Sequence, residues 1–162
     1  MVTYNRIPIL ISNINTLRTA LKKTKNIYDF DIFAICVLPD HIHMIIKPQI
    51  VEEYPKIISA IKHSFSRSVG QVCPTYGVSA GYKNKREKGI WQRRYFEHTI
   101  KSEDEMEKHL DYIHYNPVKH GYVLAVKDWP YSSFNEFVDK EWYNLNWGNN
   151  KDIEKIKDMN YE

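Results

Sequence analysis

Cysteine is scarce in this sequence. The 162 residues include only two, Cys36 in an apolar run and Cys73 beside Pro74. Their spacing matches neither the ligand pattern of a zinc site nor a disulfide framework. We therefore expect both thiols to be reduced and exclude a fold that depends on disulfides or on cysteine-bound metal.

Long apolar runs are also missing. No stretch approaches the roughly 18 consecutive apolar residues of a membrane span, and the N-terminus lacks the pattern of a secretory signal. We expect a cytoplasmic protein. Since 43% of the residues are hydrophobic and 14% aromatic, the chain can build a core, and we expect one domain at 1–138 and a polar extension at 139–162.

Acidic residues are scarce in one particular stretch. The net charge is +3, but between residues 83 and 94 Glu87 is the single acid among six cations. Tyr82, Trp91 and Tyr95 are interleaved with them, and aromatic faces beside cations suit unstacked bases. The pattern predicts a nucleic-acid partner, and the alternative is a solvated loop. The candidates for DNA contact are Lys83, Lys85, Arg86, Lys88, Trp91, Arg93, Arg94 and, on a neighbouring predicted helix, Arg67.

Hydrophobic periodicity predicts an α+β protein. Two strands, at 28–38 and about 40–47, flank Pro39 and are expected to pair as an antiparallel hairpin. Helices are predicted from Ser12 or Asn13 to Lys25, over 51–69, and from a capping box at Ser102 to Asn116, where Pro117 disfavours continuation. Residues 71–89 contain Pro74 and three glycines without a period, which predicts a long functional loop.

Two histidines mark the second strand. His41 and His43 alternate with Ile42, so both side chains project to the same side of the strand. A pair of imidazoles on a rigid strand is half of a metal site. The alternative is a polar outer face.

The last predicted helix carries a second pair of polar residues. Met106, Leu110 and Ile113 form its predicted buried stripe, and Tyr112 and Asn116 stand one turn apart on a neighbouring, mostly polar face. Each residue also has an alternative interpretation. Tyr112 is one of twelve tyrosines and could be a packing residue, and Asn116 could simply end the helix.

Taken together, these stretches resemble the single-tyrosine HUH transposases, and specifically the REP-associated tyrosine transposases of bacteria. The matching segments follow the order of the family and span roughly residues 4 to 135; they are 38–43, 90–98, 111–121 and 128–133. The resemblance implies a ferredoxin-like antiparallel sheet that carries the histidine pair, with helices packed on it and one helix presenting the tyrosine.

The resemblance also implies roles for individual residues. His41 and His43 match the metal-binding histidines and Tyr112 the nucleophile, while Asn116 stands where insertion-sequence relatives have a glutamine that completes the metal site. The implied metal is Mg²⁺ or Mn²⁺. The implied reaction cleaves and rejoins single-stranded DNA at hairpin-forming repeats through a 5′-phosphotyrosine.

Three hypotheses stay open at this point. The first is this metal-dependent transesterase; the second is a catalytically silent hairpin-binding protein; the third is a metal-assisted hydrolase of small phosphoesters, which would leave the basic stretch unused. A homodimer and a monomer are both compatible with the sequence. The resemblance implies a longer N-terminal strand before the segment equivalent to Tyr4–Arg6, and here only Met1 to Thr3 precede that segment, so a sheet edge could be exposed or covered by a partner.

Overall fold

The structure is a computed structural model that describes residues 1–69, 89–148, Ile153, Ile156 and Met159. The chain divides into two units. Unit 1 comprises 1–31, 39–41 and 46–95, and unit 2 comprises 32–38, 42–45 and 96–162. Each is described by itself.

The predicted hairpin is present. Strands β1 (Phe30–Val37) and β2 (Ile42–Pro48) pair as a two-stranded antiparallel sheet, and both units draw residues from it. Together with the helices, this confirms the predicted α+β class.

In unit 1, the short N-terminal segment lies beside the first histidine. Val2 forms an antiparallel bridge with His41, and Thr3 forms one with Trp91. The short N-terminal segment therefore supplies backbone hydrogen bonds beside His41, and the expectation of a sheet edge that is exposed or covered by a partner stays a prediction.

Unit 1 is built on two helices, α1 (Ile14–Lys25) and α2 (Tyr54–Val69), which pack against each other. The buried residues of α2 are those that its apolar period predicts: Ile57, Ile58, Ile61, Phe65 and Val69. On α1, Leu17 is buried and Ile14 and Leu21 are half-buried. Thr24 is also buried, because its hydroxyl donates to the Ala20 carbonyl at 2.9 Å.

In unit 2 the main helix is α3 (Glu103–Lys119). It begins as predicted, since the Ser102 hydroxyl accepts a hydrogen bond from the Glu105 amide at 3.2 Å. The predicted end at Asn116 is wrong, because the buried Pro117 costs one backbone bond without diverting the helix. The helix is ended instead by Gly121, which adopts a φ of +71°. The Gly121 amide donates to the Val118 carbonyl, and the Tyr122 amide donates to the Pro117 carbonyl. These two hydrogen bonds form a Schellman motif.

A segment that follows α3 completes β1 within unit 2. Val37 donates its amide proton to the Tyr131 carbonyl at 2.8 Å, and Ser133 donates to the Ile35 carbonyl at 2.9 Å. The Trp129 indole donates to the Val37 carbonyl at 2.9 Å. This agrees with the expectation that the aromatic segment 128–134 packs against the rest of the protein. A short helix, α4 (Phe134–Asp139), follows.

The predicted loop at 71–89 lies almost wholly outside the described residues, which resume at Gly89. Over the described part of the chain, no helix has the length and apolar character needed to cross a membrane. The predicted boundary at residue 138 stays a prediction.

Candidate active site

Within unit 2, the predicted nucleophile lies beside one of the predicted metal ligands. The ring of Tyr112 on α3 meets the ring of His43 on β2 edge to face, with centroids 5.3 Å apart and an interplanar angle of 89°. The strand and the helix thus bring together two residues that are distant in the sequence. This contact is the geometric centre of the candidate site.

Lys119 is a neighbour of Tyr112 that the sequence analysis missed. Its ammonium group donates a hydrogen bond to the Tyr112 hydroxyl at 3.3 Å and lies 4.8 Å from the ring centroid. A signal was available, since positions seven apart fall on the same face two turns along a helix. The error came from ending the helix at Asn116, which placed Lys119 in a turn.

Tyr112 is buried, with 2% of its surface exposed. It packs in a cluster with Ile153 and Ile156 of the C-terminal segment, and Tyr115 and Met159 border this cluster. The prediction that Tyr112 and Asn116 lie on a mostly polar face of the helix is therefore incomplete, because apolar residues from outside the matched segments cover that face.

Asn116 is fully buried on the same helix. Among the described residues, neither its side-chain oxygen nor its side-chain nitrogen has a hydrogen-bond partner. Leaving a buried amide unsatisfied costs about 1–3 kcal/mol, so such groups in native proteins usually have a further partner. An amide oxygen is a normal ligand of Mg²⁺ or Mn²⁺, and Asn116 therefore fits the predicted third ligand.

No group of three or more His, Cys, Asp or Glu side chains in the described ranges could hold a metal ion. The predicted ligand set contains only two residues of these types, with an amide as the third. The absence of such a group therefore does not bear on the predicted ligand set of His41, His43 and Asn116.

His41 belongs to unit 1, and its neighbours there hold it firmly. The residue is buried, and its Nδ1 lies 2.7 Å from Oδ1 of Asp40. The guanidinium group of Arg6 lies 3.3 Å from the other carboxylate oxygen, Oδ2. Burial raises the pKa of Asp40, but the hydrogen bond and the charge interactions with His41 and Arg6 outweigh burial and bring the pKa below its usual value.

The other histidines of α3 have structural contacts, as expected. His114 is buried, and its Nε2 lies 3.0 Å from the Ser133 hydroxyl. Burial lowers the pKa of His114 to about 4, so the ring is neutral at physiological pH. Nδ1 of His109 lies 2.7 Å from the Glu105 carbonyl, and its ring stacks on His98.

The candidates for DNA contact differ in their surroundings. Trp91 is a core residue of unit 1, 7% exposed, whose ring packs on Phe65 and whose indole donates to the Lys62 carbonyl at 3.2 Å. These are the contacts of a packing residue, and a role of Trp91 in binding DNA stays a prediction. Arg67, Arg93 and Arg94 are exposed. Four candidates lie outside the described residues, namely Lys83, Lys85, Arg86 and Lys88.

Comparisons with known proteins identify relatives of this chain. The family model described as "Transposase IS200 like" matches residues 1–116. A Haemophilus influenzae protein provisionally named a REP-associated tyrosine transposase is 46% identical over 149 residues, which cover 91% of this chain and 83% of the relative. The REP-associated tyrosine transposase of Escherichia coli is 34% identical over 143 residues, which cover 88% of this chain and 77% of the relative.

A solved structure has the same fold. It is a REP-associated tyrosine transposase bound to a REP hairpin, and it matches 99% of this chain and 86% of its own with a TM-score of 0.78 and 30% sequence identity. The family match covers most of the chain, and both named relatives exceed 30% identity over more than two thirds of their length. The chain therefore belongs to the IS200-like transposases, within the group of REP-associated tyrosine transposases.

Proposed function

We propose that the protein is a metal-dependent transesterase that cuts and rejoins single-stranded DNA at hairpin-forming repeats, with Tyr112 as the nucleophile. The observation that carries the proposal is the contact between Tyr112 and His43 across β2 and α3. The hairpin partner is supported by the related structure, which is bound to a REP hairpin.

The chemistry follows from a phenol that attacks a phosphodiester. The Tyr112 oxygen forms a bond to phosphorus and loses its proton, the bond from phosphorus to the 3′ oxygen breaks, and that oxygen leaves with the electron pair and gains a proton. The products are a 5′-phosphotyrosine and a free 3′ hydroxyl. Attack by another 3′ hydroxyl reverses the step and joins strands, so no nucleotide cofactor is consumed.

The residues around the phenol have distinct tasks in this reaction. Lys119 places a positive charge beside the oxygen that attacks, where negative charge develops as the phenol proton is lost. We assign His41, His43 and Asn116 as the ligands of a Mg²⁺ or Mn²⁺ ion. When bound, this ion would polarise the scissile phosphate and offset the charge of the displacement.

A direct test is the formation of a covalent adduct. The protein is incubated with an end-labelled hairpin oligonucleotide that carries single-stranded flanks, with Mn²⁺ or Mg²⁺, and denaturing gels report label attached to protein. We expect an adduct that needs the metal and disappears in Tyr112→Phe, because the ring is kept and the nucleophilic oxygen is lost. Tyr115→Phe, three residues along α3, is the matched control and should keep the adduct. An adduct that survives Tyr112→Phe contradicts the assignment.

One observation favours a second candidate, the silent hairpin-binding protein. Tyr112 is almost fully covered by Ile153 and Ile156, so the described arrangement leaves little surface for an incoming phosphate. This candidate predicts salt-dependent hairpin binding, no adduct with either metal, and unchanged binding in His43→Ala. Metal-dependent adduct formation by the unmodified protein rules it out.

A further inference from the structure

We propose that Asp40 is the positioning residue for His41, which it fixes in the tautomer that carries its proton on Nδ1 and its lone pair on Nε2. The inference rests on the proposed function in one respect only, namely that His41 binds a metal ion. Asp40 immediately precedes the histidine pair in the sequence, and the metal-site assignments above give it no task.

The geometry of the pair points to this role. Oδ1 of Asp40 lies 2.7 Å from Nδ1 of His41, which is the length of a strong charge-assisted hydrogen bond. The His41 side chain is 2% exposed and that of Asp40 14%, so water competes little for the bond. An ionised carboxylate can only accept, so the proton of this bond belongs to Nδ1 of the imidazole.

The contact between Arg6 and the ring does not alter this assignment. A guanidinium group can only donate a hydrogen bond. The Arg6 guanidinium lies 3.4 Å from Nδ1 of His41, which is a much longer contact than the one between this nitrogen and Asp40. Its shorter contact is to Oδ2 of Asp40, at 3.3 Å. Arg6 therefore binds Oδ2 of the Asp40 carboxylate, while Oδ1 accepts the hydrogen bond from the His41 ring.

Two hydrogen bonds from Thr3 also hold the backbone of Asp40 in place. Both the amide and the hydroxyl of Thr3 donate to the Asp40 carbonyl, at 2.8 and 2.9 Å. Asn5 and Arg6 adopt positive φ values of 52° and 54°, which are uncommon for residues other than glycine. This turn at Asn5 and Arg6 carries backbone strain of a kind that persists where the surrounding contacts fix it.

The consequence concerns metal binding. A neutral imidazole coordinates through the nitrogen that lacks the proton, and a carboxylate on the other nitrogen both selects the tautomer and raises the basicity of the ligand. Without Asp40 the ring can carry its proton on either nitrogen. In the tautomer with the proton on Nε2, the ring would have to lose that proton, or rotate by about 180° around its bond to Cβ, before Nε2 or Nδ1 could bind the metal.

The tautomer is tested in the full-length, metal-free protein by ¹⁵N spectra of the histidine rings. The His41 signals are assigned by their loss in His41→Gln. We expect Nδ1 protonated and Nε2 unprotonated in the unmodified protein at pH 8, and a mixture or the opposite tautomer in Asp40→Ala. Asp40→Asn, whose amide oxygen still accepts, should fall between the two. If His41 carries its proton on Nε2, or if Asp40→Ala leaves the spectrum unchanged, the proposal is overturned.

Metal affinity is the second measurement, made with Mn²⁺ alone and without DNA. We expect Asp40→Ala to bind Mn²⁺ about ten- to hundredfold more weakly. Asp104→Asn is the matched control, because Asp104 also makes a short bond, to Lys108 at 2.6 Å, but on an exposed helix face. It removes the same charge and should leave both affinity and tautomer unchanged. Equal losses in the two variants would overturn the proposal.

The two proposals fail in different ways. If the unmodified protein shows the Nδ1 tautomer but binds no Mn²⁺, the metal site of the proposed function is wrong and the structural assignment of Asp40 holds. Amide spectra of each variant show whether it is folded. If Asp40→Ala unfolds, Asp40→Asn carries the test, and an Asn variant with both unmodified tautomer and unmodified affinity overturns the proposal.

Discussion

At the scale of the residue, the charge next to the phenol is the main feature of the candidate active site. The ammonium group of Lys119 reaches the Tyr112 hydroxyl and also covers its ring. A cation in this position helps a nucleophile only if the phenol oxygen gains negative charge as it attacks. Replacing Lys119 is therefore a test that distinguishes a catalytic tyrosine from a packing one.

We predict that Lys119→Met lowers the rate of adduct formation about tenfold or more, since it removes a preorganised charge and keeps most of the aliphatic chain. Lys108→Met is the control, because Lys108 lies on the same helix and pairs with the exposed Asp104. Single-turnover rates measured with saturating hairpin DNA separate this effect from weaker binding. Equal rates in the Lys119 variant and the unmodified protein would mean that the ammonium group has no part in the chemistry.

At the scale of the element, Tyr112 on α3 packs with two isoleucines from near the C-terminus. Ile153 and Ile156 are buried against the tyrosine although the predicted extension is polar overall. An apolar residue that leaves its cluster loses roughly 1.5–3 kcal/mol of burial. A single charge introduced at either isoleucine is enough to offset this contact.

We predict that Ile156→Asp raises the rate of adduct formation, by up to about tenfold if roughly 1.4 kcal/mol of covering contact is lost. Leu124→Asp is the control, because it adds the same charge at a position that is 99% exposed. The assay is the hairpin adduct, and limited iodination of tyrosines followed by peptide mapping reports exposure of Tyr112 independently. Greater iodination without any adduct would favour the silent hairpin-binding protein.

The elements also show what a sequence can predict about this fold. The buried face of α2 follows from its period alone, because a helix against one neighbour buries one stripe. The surroundings of Tyr112 do not, since Ile153 and Ile156 stand in a charged segment and their contact with α3 is a long-range one. The end of α3 was wrong because the sequence shows Pro117 but not the Schellman motif at Gly121.

At the scale of the whole molecule, the resemblance predicted the family and the α+β class, and the comparisons confirm both. Local motifs predicted which residues lie near Tyr112 less well. Lys119 was missed because the helix was ended too early. The burial of Trp91 against Phe65 could not be predicted either, because a tryptophan between cations looks the same in sequence whether it is exposed or packed, and its contact with DNA stays a prediction.

Exposed cations remain the means by which this molecule would hold DNA. Arg93 and Arg94 follow the buried Trp91 in unit 1, and both side chains are exposed. Each arginine that neutralises a phosphate releases a condensed counterion, so the logarithm of the binding constant falls more steeply with the logarithm of the salt concentration. Removing such contacts should therefore flatten the salt dependence as well as weaken binding.

We predict that the double variant Arg93→Ala, Arg94→Ala weakens hairpin binding and reduces the slope of the salt dependence by about 2, one for each lost phosphate contact. The matched control is Lys22→Ala, Lys23→Ala, which removes the same charge from exposed positions of α1 in the same unit. Fluorescence anisotropy of a labelled hairpin over a series of salt concentrations measures both constants. If the two double variants change the slope equally, the arginines act only through net charge. If the slope changes in the arginine variant alone, the segment after Trp91 contacts the DNA backbone directly.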